Sequence, residues 1–163
     1  MHKLSFDEIY IHYKEQVWGM VCKYVYIQHD REDLFQEVFL AIHRGLGSFK
    51  ETAALGTWIY KVTVNTALNF LKKQRRGQSL AQWLGQLRLV EEVVFPESPE
   101  SPDAEFKLLA KLNPLQQMVL ILAEIEERAL AEISDLLKIP LGTVKSNLSR
   151  AKEIIRKELL QNG

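Results

Sequence analysis

Cysteine occurs once in the 163 residues, at Cys22. A disulfide within the chain is therefore excluded, and the usage fits a reducing compartment. No apolar run approaches the roughly 20 residues needed to cross a bilayer. The start of the chain also lacks a basic stretch followed by an apolar one, so a cytoplasmic protein with no membrane insertion is expected. His2, His12, His29 and His43 are scattered and share no metal-ligand spacing with Cys22, so no metal site is expected. A phosphate-cradling glycine loop and a nucleophile–base constellation are both missing, which argues against an enzyme and against a bound cofactor. Net charge is absent as well: 21 basic and 21 acidic residues cancel. Total charge thus argues neither for nor against a nucleic-acid partner. With 47% hydrophobic and 26% charged residues, the chain has the composition of a soluble globular protein, long enough for one ordinary domain or two small ones.

One absence is local. Between Glu51 and Glu91 there is no Asp or Glu, yet Lys61, Lys72, Lys73, Arg75, Arg76 and Arg88 all fall there. Glu91, Glu92, Glu97, Glu100, Asp103 and Glu105 then turn the middle of the chain acidic. Within the basic part, the stretch from Thr57 to Arg76 can be placed on a helix at about 100° per residue. Ile59, Thr63, Val64, Ala67, Phe70 and Leu71 gather on one side, and Lys61, Asn65, Asn69 and Lys72 on the other, with Trp58 among the polar set. Cations suit phosphates and a flat aromatic suits unstacked bases, so this face matches the needs of a single nucleic-acid strand. A solvated helix whose tryptophan tucks under a loop accounts for the same residues.

Taken in order, Ser5 and Glu8 form a capping box opening a helix with Phe6, Ile9, Tyr10, Tyr13, Val17, Met20, Val21 and Tyr24 as its apolar stripe. Asp30 is the expected cap of a second helix, residues 31–44. Its inward side is Leu34, Phe35, Val38, Ala41 and Ile42, and Leu40 stands alone among Asp33, Gln36, Glu37, His43 and Arg44. That leucine is either an ordinary exposed residue or the anchor of a docking patch with a polar rim. Gly45, Gly47 and Gly56 bracket a loop carrying Phe49 and Lys50, which either links two helices or closes over something bound. Gly77 is the expected stop of the basic helix. An amphipathic segment with Trp83 follows, and Pro96, Pro99 and Pro102 then mark a linker and the domain boundary. Asn113, Pro114 and Gln116 start another helix by a capping-box pattern. A short helix from Leu130 to Leu137, a turn, and a final helix from Leu141 to Leu160 complete a helix-turn-helix plan. On the final helix Val144, Leu148, Ala151 and Ile155 point inward, while Lys145, Ser146, Ser149 and Arg150 can donate to phosphates or base edges.

Two of these patterns together resemble one family. DREDLFQEVFLAIHRGLGSF followed by TWIYKVTVNTALNFLKKQRR resembles region 2 of the extracytoplasmic-function (ECF) RNA polymerase sigma factors. LNPLQQMVLILAEIEERALAEISDLLKIPLGTVKSNLSRAKEIIRKEL is similar to their region 4. The resemblance implies an all-α protein of two small helical domains: region 2 over residues 1–77, a linker over 78–103, and the region 4 helix-turn-helix over 104–163. It implies that Asp33, Gln36, Glu37 and Leu40 dock on the beta-prime clamp of core polymerase. Phe49 and Asn65 would line a pocket for a flipped base of the downstream promoter box, with Trp58 where the duplex begins to open, Lys61 on a phosphate, and Asn69 and Lys72 on the same strand. Thr143, Lys145, Ser146, Ser149, Arg150 and Lys152 would meet the upstream box. Core polymerase, through its clamp and beta flap, promoter DNA and an anti-sigma factor are the partners implied. The function implied is that of an alternative sigma factor that directs core polymerase to promoters and nucleates melting.

The chain also departs from the family pattern. Glu127 and Ala129 stand where Gly and Ser are common before the short helix, and Lys138 where Gly often ends it. A lost N-cap costs about 0.5–2 kcal/mol and a non-glycine residue in a left-handed conformation roughly 1 more. Asn147 occupies a position where a basic residue is common. Two other functions remain open on the residues alone: a helix-turn-helix regulator acting without polymerase, and a helical protein that sequesters a partner.

Overall fold

The computed structural model describes residues 3–50, 54–86 and 104–161. The linker prolines Pro96, Pro99 and Pro102 lie outside the described residues, as does the side chain of Trp83. All regular elements among the described residues are helices: α1 (Phe6–Tyr24), α2 (Gln28–Gly45), a 3-10 turn at Leu46–Ser48, α3 (Leu55–Gln86), α4 (Ala104–Leu109), α5 (Pro114–Leu120) continuing as a π turn at Ile121–Ile125, α6 (Leu130–Leu137) and α7 (Leu141–Gln161). None of them is long and apolar enough to cross a membrane.

Local chemistry sets most of the boundaries. Both expected capping boxes form. In the first, the Ser5 N–H donates to Glu8 Oε2 at 2.8 Å and the Glu8 N–H to Ser5 Oγ at 3.2 Å. In the second, the Asn113 N–H donates to Gln116 Oε1 at 3.1 Å and the Gln116 N–H to Asn113 Oδ1 at 2.8 Å, with Pro114 in the first turn, where its missing N–H costs nothing. α2 begins earlier than expected. Its N-cap is Ile27, without a side-chain bond, and Asp30 lies in the first turn, where its charge favours the helix dipole. Arg31 stabilises that junction by donating to the Val25 and Cys22 carbonyls at the end of α1.

Gly77 does not stop α3, which runs on to Gln86. A glycine costs about 1 kcal/mol relative to alanine in a helix interior. With helix formers on both sides, that is too little to end a helix, and no described glycine takes positive φ.

α1, α2 and α3 form one bundle around Ile9, Val17, Val21, Leu34, Val38, Ile42, Ile59, Val64 and Ala67, all at most 1% exposed. On α3 the inward side is as expected apart from Leu71, which is half-buried, and Leu68, which is buried instead. Buried Thr63 donates to the Ile59 carbonyl at 2.7 Å, which removes the cost of its hydroxyl. A second bundle, α5 to α7, closes around Met118, Val119, Leu122, Ile133 and Val144. The two bundles share a continuous apolar cluster, because α5 and α6 pack directly on α3.

The backbone departures at the helix-turn-helix fall where the sequence places them. Glu127 and Lys138 both take left-handed conformations, φ 55 in each case. Ala129 caps α6 without a side-chain bond. At about 1–2 kcal/mol per left-handed residue, this segment is held by its packing and not by its local preferences.

Candidate nucleic-acid interface

Three separate faces carry the residues singled out in the sequence. The first runs along α3. Lys61, Asn69 and Lys72 are exposed and share one side, while Asn65 between them is half-buried. The Asn65 amide is doubly engaged, donating to the Lys61 carbonyl at 2.9 Å and, across the domain boundary, to the Leu136 carbonyl at 3.1 Å.

Trp58 departs from the expected polar placement. It is half-buried and packs on the first bundle's core. A β-carbon at Gly45 would lie 2.8 Å from the indole, so glycine there makes room for the ring. Phe49 packs against it, with ring centroids 5.1 Å apart and planes tilted by 41°. The pair forms an aromatic shelf at the head of α3. Near the middle of the helix, Lys72 and Arg76 line a shallow hollow with Arg75, which donates to the Leu112 carbonyl of the second bundle.

The second face is the N-terminal half of α7. Lys145, Ser149 and Arg150 are exposed, and Thr143 and Ser146 are half-buried. The Ser146 hydroxyl donates to the Thr143 carbonyl at 3.2 Å. Lys152 is turned toward its own domain and pairs with Glu124 at 2.7 Å. Asn147 points inward: it is 8% exposed and its amide donates to the Thr143 carbonyl at 2.8 Å. It joins the core beside Val144 and Ala151; of the expected stripe of Val144, Leu148, Ala151 and Ile155, the first and third are buried and Leu148 and Ile155 are half-buried.

The third face belongs to α2. Gln36 is exposed, Leu40 is 53% exposed, and the Asp33 carboxylate, itself half-exposed, sits 3.4 Å from the His29 imidazole. Beside it lies an apolar groove of about 690 Å³, lined by Phe6, Tyr10, Trp18, Phe35, Phe39 and Leu40 among others. Edge-on ring contacts organise its wall: Trp18 meets Phe35 at 5.6 Å and Tyr10 meets Phe39 at 4.9 Å between centroids. Trp18 was not marked by the helical stripe, because it stands one position beyond Val17. An aromatic adjacent to a stripe, opposite another aromatic on the next helix, was the available signal.

Comparison with known proteins follows this division into two bundles. Residues 9–77 match the family model for sigma-70 region 2, and residues 106–155 match that for sigma-70 region 4. The chain is 32% identical to the ECF RNA polymerase sigma-E factor of Escherichia coli over 93% of its own length and 84% of that protein's. It is 28% identical to the ECF RNA polymerase sigma factor SigW of Bacillus subtilis, over 95% and 89% of the two chains. Its fold resembles that of the sigma factor RpoE from Bartonella quintana, solved in complex with the anti-sigma factor NepR: TM-score 0.62, 19% identity, covering 94% of this chain and 96% of that one.

The chain belongs to the ECF sigma factors of the sigma-70 family. It is an alternative sigma factor that directs RNA polymerase to promoters, and core polymerase and promoter DNA are its partners.

Proposed function

We propose that residues 1–77 hold core polymerase and the downstream promoter box, that 78–103 link the domains, and that 104–163 read the upstream box. On this reading Asp33, Gln36, Glu37 and Leu40 meet the polymerase clamp, and Thr143, Lys145, Ser146, Ser149, Arg150 and Lys152 meet duplex DNA. Phe49, Trp58, Lys61, Asn65, Asn69 and Lys72 receive the non-template strand as it opens, which nucleates melting. Flipping a base out costs a few kcal/mol, and stacking with hydrogen bonds to that base offsets the cost.

The observation that carries this reading is the row of exposed Lys61, Asn69 and Lys72 along one side of α3, headed by the Phe49–Trp58 shelf. Sigma factors are non-catalytic transcription regulators, and no residue here is assigned covalent chemistry. The protein works in the cytoplasm, beside the polymerase. An anti-sigma factor is a further partner, supported by the complex in which the similar RpoE was solved. Run-off transcription with core polymerase over a genomic promoter library tests the whole scheme. Start sites that depend on this protein, and that Asn69→Ala weakens without loss of polymerase binding, are the expected result. Transcripts indifferent to every substitution on the α3 face would remove that face from the mechanism.

A further inference from the structure

The loop between α5 and α6 makes contacts that neither promoter-reading face requires. After the π turn, Glu127 takes its left-handed conformation, and the residue before it, Glu126, lies against the first bundle. The Glu126 side chain is only 7% exposed. Its carboxylate accepts from the Tyr60 hydroxyl on α3 at 2.9 Å and from the Tyr24 hydroxyl at the end of α1 at 3.1 Å, with the Lys23 ammonium 3.7 Å away. Both phenols and the ammonium belong to the first domain, and the carboxylate belongs to the second. Arg128 completes the cluster, its guanidinium 4.5 Å from the centre of the Tyr60 ring. Further along α3, the Asn65 amide donates to the Leu136 carbonyl and Arg75 to the Leu112 carbonyl.

We infer that Glu126, Tyr24 and Tyr60 form a clasp that holds the two domains closed and thereby withholds part of the α3 face, Asn65 in particular, from single-stranded DNA until the domains part. The inference rests on the reading of α3 as the single-strand face. In the closed arrangement Tyr24 is fully buried, and Glu126 supplies the partner that its hydroxyl then needs. The carboxylate is equally conditional. Stripped of water, it is tolerated while phenols donate to it; once they are gone it keeps the Lys23 ammonium at 3.7 Å but has lost both of its hydrogen-bond donors. The clasp is thus strong when complete and opposes closure when half-removed. A protein that binds DNA only when open has its apparent affinity reduced by the fraction of time it spends open.

The test uses the full chain carrying Tyr24→Phe and Tyr60→Phe together. Phenylalanine keeps the packing volume, so each domain remains folded, while Glu126 loses both phenol donors. The doubly substituted chain is expected to expand in small-angle scattering. It is also expected to bind a fluorescent single-stranded oligonucleotide, covering the downstream box of a promoter found by run-off transcription, about tenfold more tightly than the wild type, as for a chain open roughly one-tenth of the time. Adding Glu126→Ala removes the stranded charge and should restore the compact form, a recovery that general damage to the fold would not show. A doubly substituted chain as compact as the wild type, or one that expands with no gain in affinity, overturns the inference. If the gain appears and Asn65→Ala in the opened chain leaves it intact, the clasp is upheld and the base-reading role of Asn65 is the part that fails.

Discussion

The two helices that carry the proposed DNA-contacting residues are both well formed but unequally covered. On α7, Lys145, Ser149 and Arg150 stand exposed. On α3, Asn65 is tied to Leu136 and Arg75 to Leu112, although Lys61, Asn69 and Lys72 remain exposed. On the function proposed above, the difference separates two tasks that use different forms of DNA. A duplex can meet a preformed, open helix, whereas a single strand exists only after base pairs have been broken. Covering its reader beforehand forfeits nothing in the duplex search and limits binding to stray single strands.

Substitutions can break this contrast from either side. The largest effect is expected from Lys145→Ala with Arg150→Ala. If each cation holds a base edge, at about 1–3 kcal/mol apiece, promoter binding by the holoenzyme falls by roughly 2–6 kcal/mol, while binding to a single-stranded oligonucleotide is unchanged. A salt series sharpens the result: were both contacts to phosphates, the loss would be smaller and the salt slope would shrink by about one per cation. Trp58→Ala acts on the other side, weakening single-strand binding by about 1–3 kcal/mol if the indole stacks on a base. Because the ring also fills space over Gly45, thermal unfolding is measured with it, and Gly45→Ala, which displaces the indole while retaining it, should show the same direction of change.

Smaller again are the effects of Lys138→Gly and Glu127→Gly. Each relieves a left-handed non-glycine residue and should raise stability by about 1 kcal/mol in thermal or denaturant unfolding, with no change at the α3 face. The last effect is alkaline. Burial, then the neighbouring Glu126 charge and its hydrogen bond, push Tyr60 up from an ordinary 10.0 to about 12, and the same causes raise Tyr24 further. The closed state therefore holds its phenolic protons more tightly than the open one. Its stabilisation is complete below pH 10.0 and is lost as the pH rises toward about 12, the other charged groups facing the pair being Glu126, Lys23 and Arg128. Ultraviolet titration of the phenols, with scattering at each pH, checks both the direction and the window.

Much of the fold was legible because its signals are local. Ser5 with Glu8, and Asn113 with Gln116, are complete instructions for starting a helix, and both act as read. Leu130–Leu137 is also the short helix the sequence indicates, despite lacking a side-chain cap. Gly77 misleads for an equally physical reason, since one glycine weakens a helix without ending it. Asp30 resembles a cap, but Arg31 fastens the junction one turn earlier. The candidate site was legible by face and not by contact. Helical spacing puts Lys61, Asn65, Asn69 and Lys72 in one row, yet it carries no information that Leu136 would reach Asn65 from a distant segment. Trp58 is placed by Gly45, on another helix, which angular bookkeeping along α3 alone does not include. The clasp had a weaker signal: two tyrosines on otherwise apolar helix sides, whose hydroxyls require partners when buried. The partner, Glu126, lies 66 residues beyond Tyr60, a distance over which helical spacing carries no information.

The division of labour between the faces can be measured on a single promoter by permanganate reactivity of unpaired thymines, with polymerase occupancy read in parallel. Holoenzyme carrying Asn65→Ala and Asn69→Ala should occupy the promoter as the wild type does but leave its thymines largely unreactive, whereas Lys145→Ala with Arg150→Ala should lower occupancy and reactivity together. Full thymine reactivity with the two asparagines replaced would contradict the assignment of strand opening to α3.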